Sequence, residues 1–163
     1  MVLLNETKIV RSSFMRLTNY TDYSLRVLIY LASKPSDELS NIKEIAEAYN
    51  ISKNHLMKVT YELGKMNVIE TIRGRNGGIR LAHLPDQINI GEIVRKTEED
   101  FHLVECFDKD QNQCVISPVC GLKHALNKAL QAYFAVLDQY TLADLVNNQN
   151  SLLAYFSLNS EKE

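Results

Sequence analysis

The sequence contains no long hydrophobic run, because charged residues interrupt the apolar stretches of its 163 residues. A membrane-spanning helix needs about 20 consecutive apolar residues, so we expect no membrane span. At the start, Val2-Leu3-Leu4 is followed by polar residues, and this segment is too short and too interrupted for a secretory signal. We therefore expect a cytoplasmic protein without a membrane partner.

The sequence also lacks the motifs that carry most enzyme chemistry. It has no nucleophile–base motif, no phosphate-binding glycine loop and no paired-histidine metal signature. We therefore expect a protein that is not an enzyme. A protein-only interaction module is a further alternative, but it would leave the basic segment described next unexplained.

A net charge of −2 conceals an uneven distribution of charge along the chain. Residues 1–50 sum to zero, residues 51–82 carry six basic and two acidic groups, and residues 83–163 carry six basic and twelve acidic groups. The middle segment is therefore at +4 and the last at −6. A basic segment beside an acidic remainder is typical of a local polyanion site, although charged runs are often only solvated surface.

Residues 17–66 have the pattern of a helix-turn-helix. Apolar residues at three- and four-residue spacing predict a first helix over 17–32. Asn41 and Glu44 form a capping-box pattern that opens a short second helix. Ser52 is a favourable N-cap for a third helix that ends near Met66. The second and third predicted helices are short and closely spaced, and the third has a polar first half. This pattern indicates a DNA-binding helix-turn-helix.

A basic β-hairpin follows at once. Residues 68–72 and 79–82 are strand-like, and the link over 73–78 supplies two arginines and three glycines. With a short helix over 90–97, these elements predict a winged helix-turn-helix domain over residues 15–97. The expected fold class is mainly α with a small β-hairpin.

The second half of the chain predicts one long helix. Its apolar residues recur at alternating four- and three-residue steps: Leu122, Leu126, Ala129, Tyr133, Val136 and Tyr140. A helix with such a stripe must bury it, and packing against a second copy is the simplest way. We expect a dimerisation region over 122–146 and a flexible tail over 147–163. The alternative is that the helix packs only on its own domain.

The three cysteines lie in a polar, non-periodic stretch over residues 98–121. Cys106, Cys114 and Cys120 have the spacing C-x7-C-x5-C, without the close C-x2-C pairs of zinc sites. An odd number of thiols in a reducing compartment fits a disulfide framework poorly. The spacing favours an iron–sulfur cluster with a fourth ligand, while inert cysteines and a thiol redox switch stay open.

Four segments together resemble the Rrf family of winged-helix iron–sulfur repressors. They are Met15–Arg26, Ile51–Lys58, Arg73–Leu81 and the cysteine triplet. The resemblance runs from Met15 to about Val146, and residues 1–14 form an N-terminal extension to it. It implies a homodimer that binds a palindromic operator in double-stranded DNA.

Within this family, the cysteine spacing is similar to that of the members that sense nitric oxide. The resemblance implies a [4Fe–4S] cluster, with [2Fe–2S] still open, and Asp22 from the partner subunit as the fourth ligand. Cluster-biogenesis members have a histidine three residues after the last cysteine, where this chain has Lys123. His124 is an alternative ligand. A family regulator of iron–sulfur biogenesis or redox state, or a metal-free thiol regulator, is the alternative function.

The third helix is expected to enter the major groove, and the hairpin arginines to reach the adjacent minor groove. The expected DNA-contacting residues are Arg16, Ser52, Lys53, Asn54, His55, Lys58, Arg73, Arg75, Asn76, Gly77 and Gly78. Attack of nitric oxide on the cluster would free Asp22, which we expect to pair with Arg26 one helical turn away.

Overall fold

The structure, a computed structural model, describes residues 16–160, so the predicted extension over 1–14 lies outside the described residues. Within this range seven α-helices and two strands follow in the order α1 Asn19–Ala32, α2 Ile42–Tyr49, α3 Lys53–Lys65, β1 Ile69–Ile72, β2 Gly78–Leu81, α4 Ile90–Thr97, α5 Gly121–Leu137, α6 Leu142–Leu145 and α7 Gln149–Ser160. This confirms the mainly α fold with one β-hairpin. None of the described helices combines the length and apolar character needed to cross a bilayer.

The turn between α2 and α3 follows from local chemistry. Asn41 and Glu44 form the predicted capping box at the start of α2. Asn50 ends α2 in the left-handed conformation at φ 51°, which asparagine tolerates better than most residues. The Ile51 N–H donates to the Ala46 carbonyl at 2.9 Å, which closes the turn. Three residues, 50–52, therefore separate α2 from α3.

The hairpin is antiparallel, with Thr71 opposite Ile79 and Ile72 opposite Gly78. Ser40, just before α2, pairs with Ile79 through two backbone hydrogen bonds of 3.0 and 2.8 Å. A Cβ at Gly78 would lie 2.8 Å from the Ser40 carbonyl oxygen, so glycine permits this close approach. The wing is thereby attached to the helix-turn-helix.

Helix α1 lies at the centre of the core and packs against α2, α3, α4 and α6. Its Val27 and Leu28 are fully buried, as are Ile45 of α2 and Leu56 and Leu63 of α3. The periodic apolar residues of each helix face this core, as predicted. Burying such a side chain stabilises the fold by about 1.5–3 kcal/mol.

Helix α5 contrasts with the core, because none of its 17 residues is buried. The region just after its end is attached to α4. Asp138 accepts two hydrogen bonds from the Arg95 guanidinium, at 2.6 and 2.7 Å. Phe134 packs edge-on against Phe101 at 4.6 Å between ring centres. The predicted apolar stripe is thus anchored near one end and open along its length.

The C-terminal segment differs from the flexible tail that we expected over 147–163. Residues Gln149–Ser160 form α7, which packs against α2. The Phe156 ring lies 5.0 Å from that of Tyr30 and 5.2 Å from that of Tyr49. Apolar residues occur all around this helix, so its sequence lacks the one-sided periodicity that signals a packed helix.

Candidate functional site

The start of α3 is exposed, and no side chain caps it or neutralises its charge. Ser52 occupies the N-cap, but its side chain makes no capping hydrogen bond, and no acidic residue lies in the first turn. In contrast, α1, α2, α4 and α6 each have an acidic residue there: Asp22, Glu44, Glu92 and Asp144. The backbone N–H groups at a helix start carry partial positive charge. The start of α3 is therefore suited to bind an anion such as a DNA phosphate.

The polar residues predicted at this helix start lie together on the surface. Exposed side chains in this part of the structure are Ser52, Lys53, Asn54, His55 and Lys58. The His55 ring lies 6.2 Å from the Tyr23 ring of α1. This contact joins the first turn of α3 to α1.

The tip of the wing is exposed as well. Arg73, Arg75 and Asn76 face solvent, and Gly74 adopts a φ of +120° that other residues rarely adopt. Gly77 is required by packing, since a Cβ there would clash with the Ile72 carbonyl oxygen. The structure thus gives Gly77, like Gly78, a role in shaping the wing.

The starts of α2 and α3 and the wing share one open cavity of about 450 Å³, which we call the wing cleft. Its lining residues are Ser40, Asn41, Ile42, Lys43, Lys53, Thr71, Ile72, Gly78 and Ile79. Sequence reasoning missed Lys43 and Thr71, which only the fold brings beside Lys53. The capping box placed Lys43 at a helix start, but nothing local placed that start beside the wing.

The cations around the wing cleft are mostly unpaired. Lys53, Lys58, Arg73 and Arg75 form no ion pair with any other described residue. Lys34 and Arg80, by comparison, pair with Glu44 and Glu70 respectively. Unpaired cations near an open helix start produce a positive surface. Arg16 lines a separate cavity beside Glu98, Phe101 and Tyr133, and its contact with DNA stays a prediction.

The three cysteines lie between α4 and α5, and all are free thiols. Cys106 is buried, whereas Cys114 and Cys120 are half-buried. Cys120 is the N-cap of α5, which, like α3, begins without an acidic residue. Cysteine sulfur is the usual ligand of an iron–sulfur cluster. The sulfur donors therefore fit an iron–sulfur cluster chemically.

The donor geometry is incomplete in the single chain. Among the described residues, no three His, Cys, Asp or Glu side chains lie close enough to hold one metal ion. Asp22 binds Arg26 through two contacts, at 2.7 and 3.0 Å, as their spacing of four residues allows. The Arg26 guanidinium lies 5.9 Å from the Tyr23 ring centre and 5.8 Å from that of Tyr49. Burial raises the pKa of Tyr49, so this ring is neutral beside Arg26.

Comparisons with known proteins agree with this arrangement. Residues 17–148 match the model of the Rrf2 family, described as an iron-dependent transcriptional regulator. The chain belongs to the Rrf2 family. An HTH-type transcriptional regulator NsrR from Bacillus licheniformis is 68% identical over 138 residues, covering 85% of this chain and 96% of that protein. Its Bacillus subtilis counterpart is 69% identical over 139 residues, covering 85% and 95%.

A solved structure of another regulator has the same fold. The global cysteine regulator CymR of Bacillus subtilis matches with a TM-score of 0.63 and 28% identity, over 81% of this chain and 96% of that chain. The family match ends at residue 148, so α7 lies beyond it. Membership in the Rrf2 family makes this chain a DNA-binding transcriptional regulator and confirms the winged-helix prediction.

Proposed function

We propose that this Rrf2-family regulator is a cytoplasmic, homodimeric repressor that leaves its operator when nitric oxide reaches an iron–sulfur cluster. The main supporting observation is the wing cleft, where Lys53, at the uncapped start of α3, pairs with no described residue and lies beside a wing whose arginines are exposed. Such a surface suits a polyanion and has no substrate-enclosing shape. DNA is therefore the expected partner.

On DNA, we assign α3 to the major groove and the wing to the neighbouring minor groove. Asn54 has the donor and acceptor needed to bind adenine through two hydrogen bonds. Lys53 and Lys58 supply charge to phosphates, which sets affinity and position rather than sequence preference. Arg73 and Arg75 lie at the wing tip, where a guanidinium reaches into a narrow minor groove.

The homodimer is supported by the unburied stripe on α5. On α5, Leu122 is 64% exposed and Val136 53%, and Tyr140, just beyond the helix end, is 45% exposed. Just before α5, Val115 and Val119 of the cysteine loop are also strongly exposed. Exposed apolar residues in such numbers indicate a protein interface. Packing of α5 against its copy would bury the stripe and cover the cysteine loop.

Cys106, Cys114 and Cys120 would hold the cluster, and Asp22 of the partner subunit would complete it. When bound, the cluster supplies iron that nitric oxide attacks. To reach the cysteine loop of the other subunit, Asp22 would have to give up its ion pair with Arg26, and it could form that pair again once released from the cluster. Because Asp22 lies on α1, the exchange acts on the helix that contacts His55 of α3.

The function is tested by purifying the protein without oxygen and titrating it with nitric oxide. We expect visible absorbance from the cluster, tight binding to an operator in gel shifts, and release from it as nitric oxide is added. A colourless protein that responds to thiol oxidation would instead support the metal-free regulator. A coloured protein whose DNA affinity ignores nitric oxide would contradict the proposed signal.

Mixed dimers test the origin of the fourth ligand. One subunit carries Asp22→Ala and the other Cys106→Ala, so the subunit with intact cysteines receives Asp22 only from its partner. We expect one cluster per dimer with wild-type absorbance and circular dichroism. A spectrum identical to that of the Asp22→Ala homodimer would place the fourth ligand elsewhere, with His124 as the next variant to test.

A further inference from the structure

The outward side of α3 carries four side chains at four-residue spacing, which we call the α3 ridge: Lys53, Met57, Tyr61 and Lys65. Residues four apart stack on the same side of a helix. The ridge begins in the wing cleft, because Lys53 lines it. Leu56 and Leu63 face the core and are fully buried. The ridge is therefore part of the surface that we assign to DNA.

The middle of the ridge is apolar although it faces solvent. Met57 is 51% exposed and Tyr61 is 66% exposed. The Lys65 ammonium lies 5.5 Å from the centre of the Tyr61 ring and pairs with Glu62. Neither apolar side chain helps to pack the core. Their position beside Asn54 and Lys58 instead places them among the residues expected to face base pairs.

In the major groove, the thymine 5-methyl group is the apolar feature that distinguishes one base-pair edge from the others. An apolar side chain on a groove-facing helix therefore has thymine as its natural partner. The ridge spans about 18 Å from Lys53 to Lys65, at about 1.5 Å per residue. The groove is about 12 Å wide, so the apolar middle lies over base edges while Lys53 lies nearer the phosphates.

We propose that Met57 and Tyr61 are specificity-determining residues that contact thymine methyl groups of the operator. Met57 supplies a flexible thioether that adapts to the methyl group, and Tyr61 supplies the face or edge of its ring. This inference rests on the proposed function, because it requires α3 to enter the major groove. It adds recognition of thymine to the adenine contact assigned to Asn54.

The test removes methyl groups from the DNA and, separately, truncates the two side chains of the protein. An operator is selected from a random duplex pool with the wild-type dimer, and each thymine is replaced in turn by deoxyuridine, which lacks only the methyl group. We expect the wild type to lose about threefold to fourfold in affinity at each contacted thymine, the factor for one buried methyl-sized group. Met57→Ala and Tyr61→Ala should each become insensitive at a different thymine.

Conservative variants separate contact from folding. Met57→Leu and Tyr61→Phe keep the apolar group and should retain sensitivity to the missing methyl. Tyr155→Ala, at a residue of α7 that is 70% exposed, serves as the matched control and should behave as the wild type. Thermal unfolding of every variant verifies the fold, and Met57→Gln replaces Met57→Ala if the latter unfolds.

If Met57→Ala and Tyr61→Ala keep the wild-type pattern of methyl sensitivity, the inference is wrong while DNA binding stands. A wild-type dimer that selects no duplex would overturn the proposed function itself, and the inference with it. Loss of methyl sensitivity in the Tyr155→Ala control would also overturn the inference, since the effect would then not depend on the ridge.

Discussion

The DNA-facing surface and the cysteine loop differ in how complete each is within one chain. Around the wing cleft, α2, α3 and the wing already bring their residues together. In the cysteine loop, the three thiols and Asp22 form no group that could hold a metal among the described residues. The first site depends on neighbouring segments of a packed domain. The second depends on a loop that holds two short 3-10 helices, Glu105–Phe107 and Ser117–Val119, and, in our proposal, on a second subunit.

The wing cleft is therefore the rigid site, whereas the cysteine loop can change in response to a signal. The wing cleft is built on elements whose core residues, such as Leu56 and Ile79, are almost fully buried. The cysteine loop has exposed apolar residues, such as Val115 at 92%, and few packing constraints. A site that must change with a signal is better placed in a region of low local stability.

Removing any one cysteine should act first on the less complete region. Cys106→Ala, Cys114→Ala and Cys120→Ala are each expected to abolish stable iron binding, because each removes one of only three thiolates. Iron and sulfide analysis measures the loss. His124→Ala should keep its iron if Asp22 is the fourth ligand. Full iron content in any cysteine variant would remove that cysteine from the ligand set.

Changing Asn54 should affect only the preformed region. Asn54→Ala is expected to cost about 1–3 kcal/mol of binding free energy at one operator position and little at others, since it removes one pair of base contacts. Gel shifts on singly mutated operators measure this cost. Asn147→Ala, at an exposed asparagine far along the chain, is the control. A uniform loss at all positions would show that Asn54 contacts the backbone rather than a base.

The wing is expected to contribute positive charge to the contact with DNA phosphates. Arg75→Ala is expected to lower affinity and to reduce the slope of log affinity against log salt by about 0.9, the value for one phosphate contact. Binding measured between low and moderate salt gives the slope. Lys128→Ala, which removes an exposed cation on α5 away from its apolar stripe, should leave the slope unchanged. An unaltered slope for Arg75→Ala would place the wing off the DNA.

The smallest effect is expected at the junction between the two regions. The hydrogen bonds from Arg95 lower the pKa of Asp138 below its usual value. The stabilisation from this pair is therefore present above the unfolded pKa of about 3.9 and is lost as pH falls through the lower folded pKa. The difference in unfolding midpoint between wild type and Asp138→Asn should shrink on acidification. Asp37→Asn is the control, and a difference that grows towards low pH would contradict the assignment.

Prediction from sequence was successful where structure is local. The capping box at Asn41 and the bounds of α4 depend on residues a few positions apart, and both are confirmed. The wing followed from strand-like segments around a glycine-rich turn. Prediction from sequence missed α7, because this helix packs through Phe156 against Tyr30 and Tyr49, which lie more than a hundred residues earlier. No local pattern reports such a contact.

For the candidate site, residue types and spacing are enough to identify the chemical groups: the basic wing, the polar start of α3 and three cysteines at a spacing that suits metal. Side-chain chemistry and short-range geometry are sufficient for this. The folded chain alone shows that Lys43 and Thr71 join Lys53 in one cleft and that Asp22 pairs with Arg26, whose guanidinium lies near two tyrosine rings. The physical reason is that packing of distant segments, which sets these distances, is a property of the whole buried core rather than of any one segment.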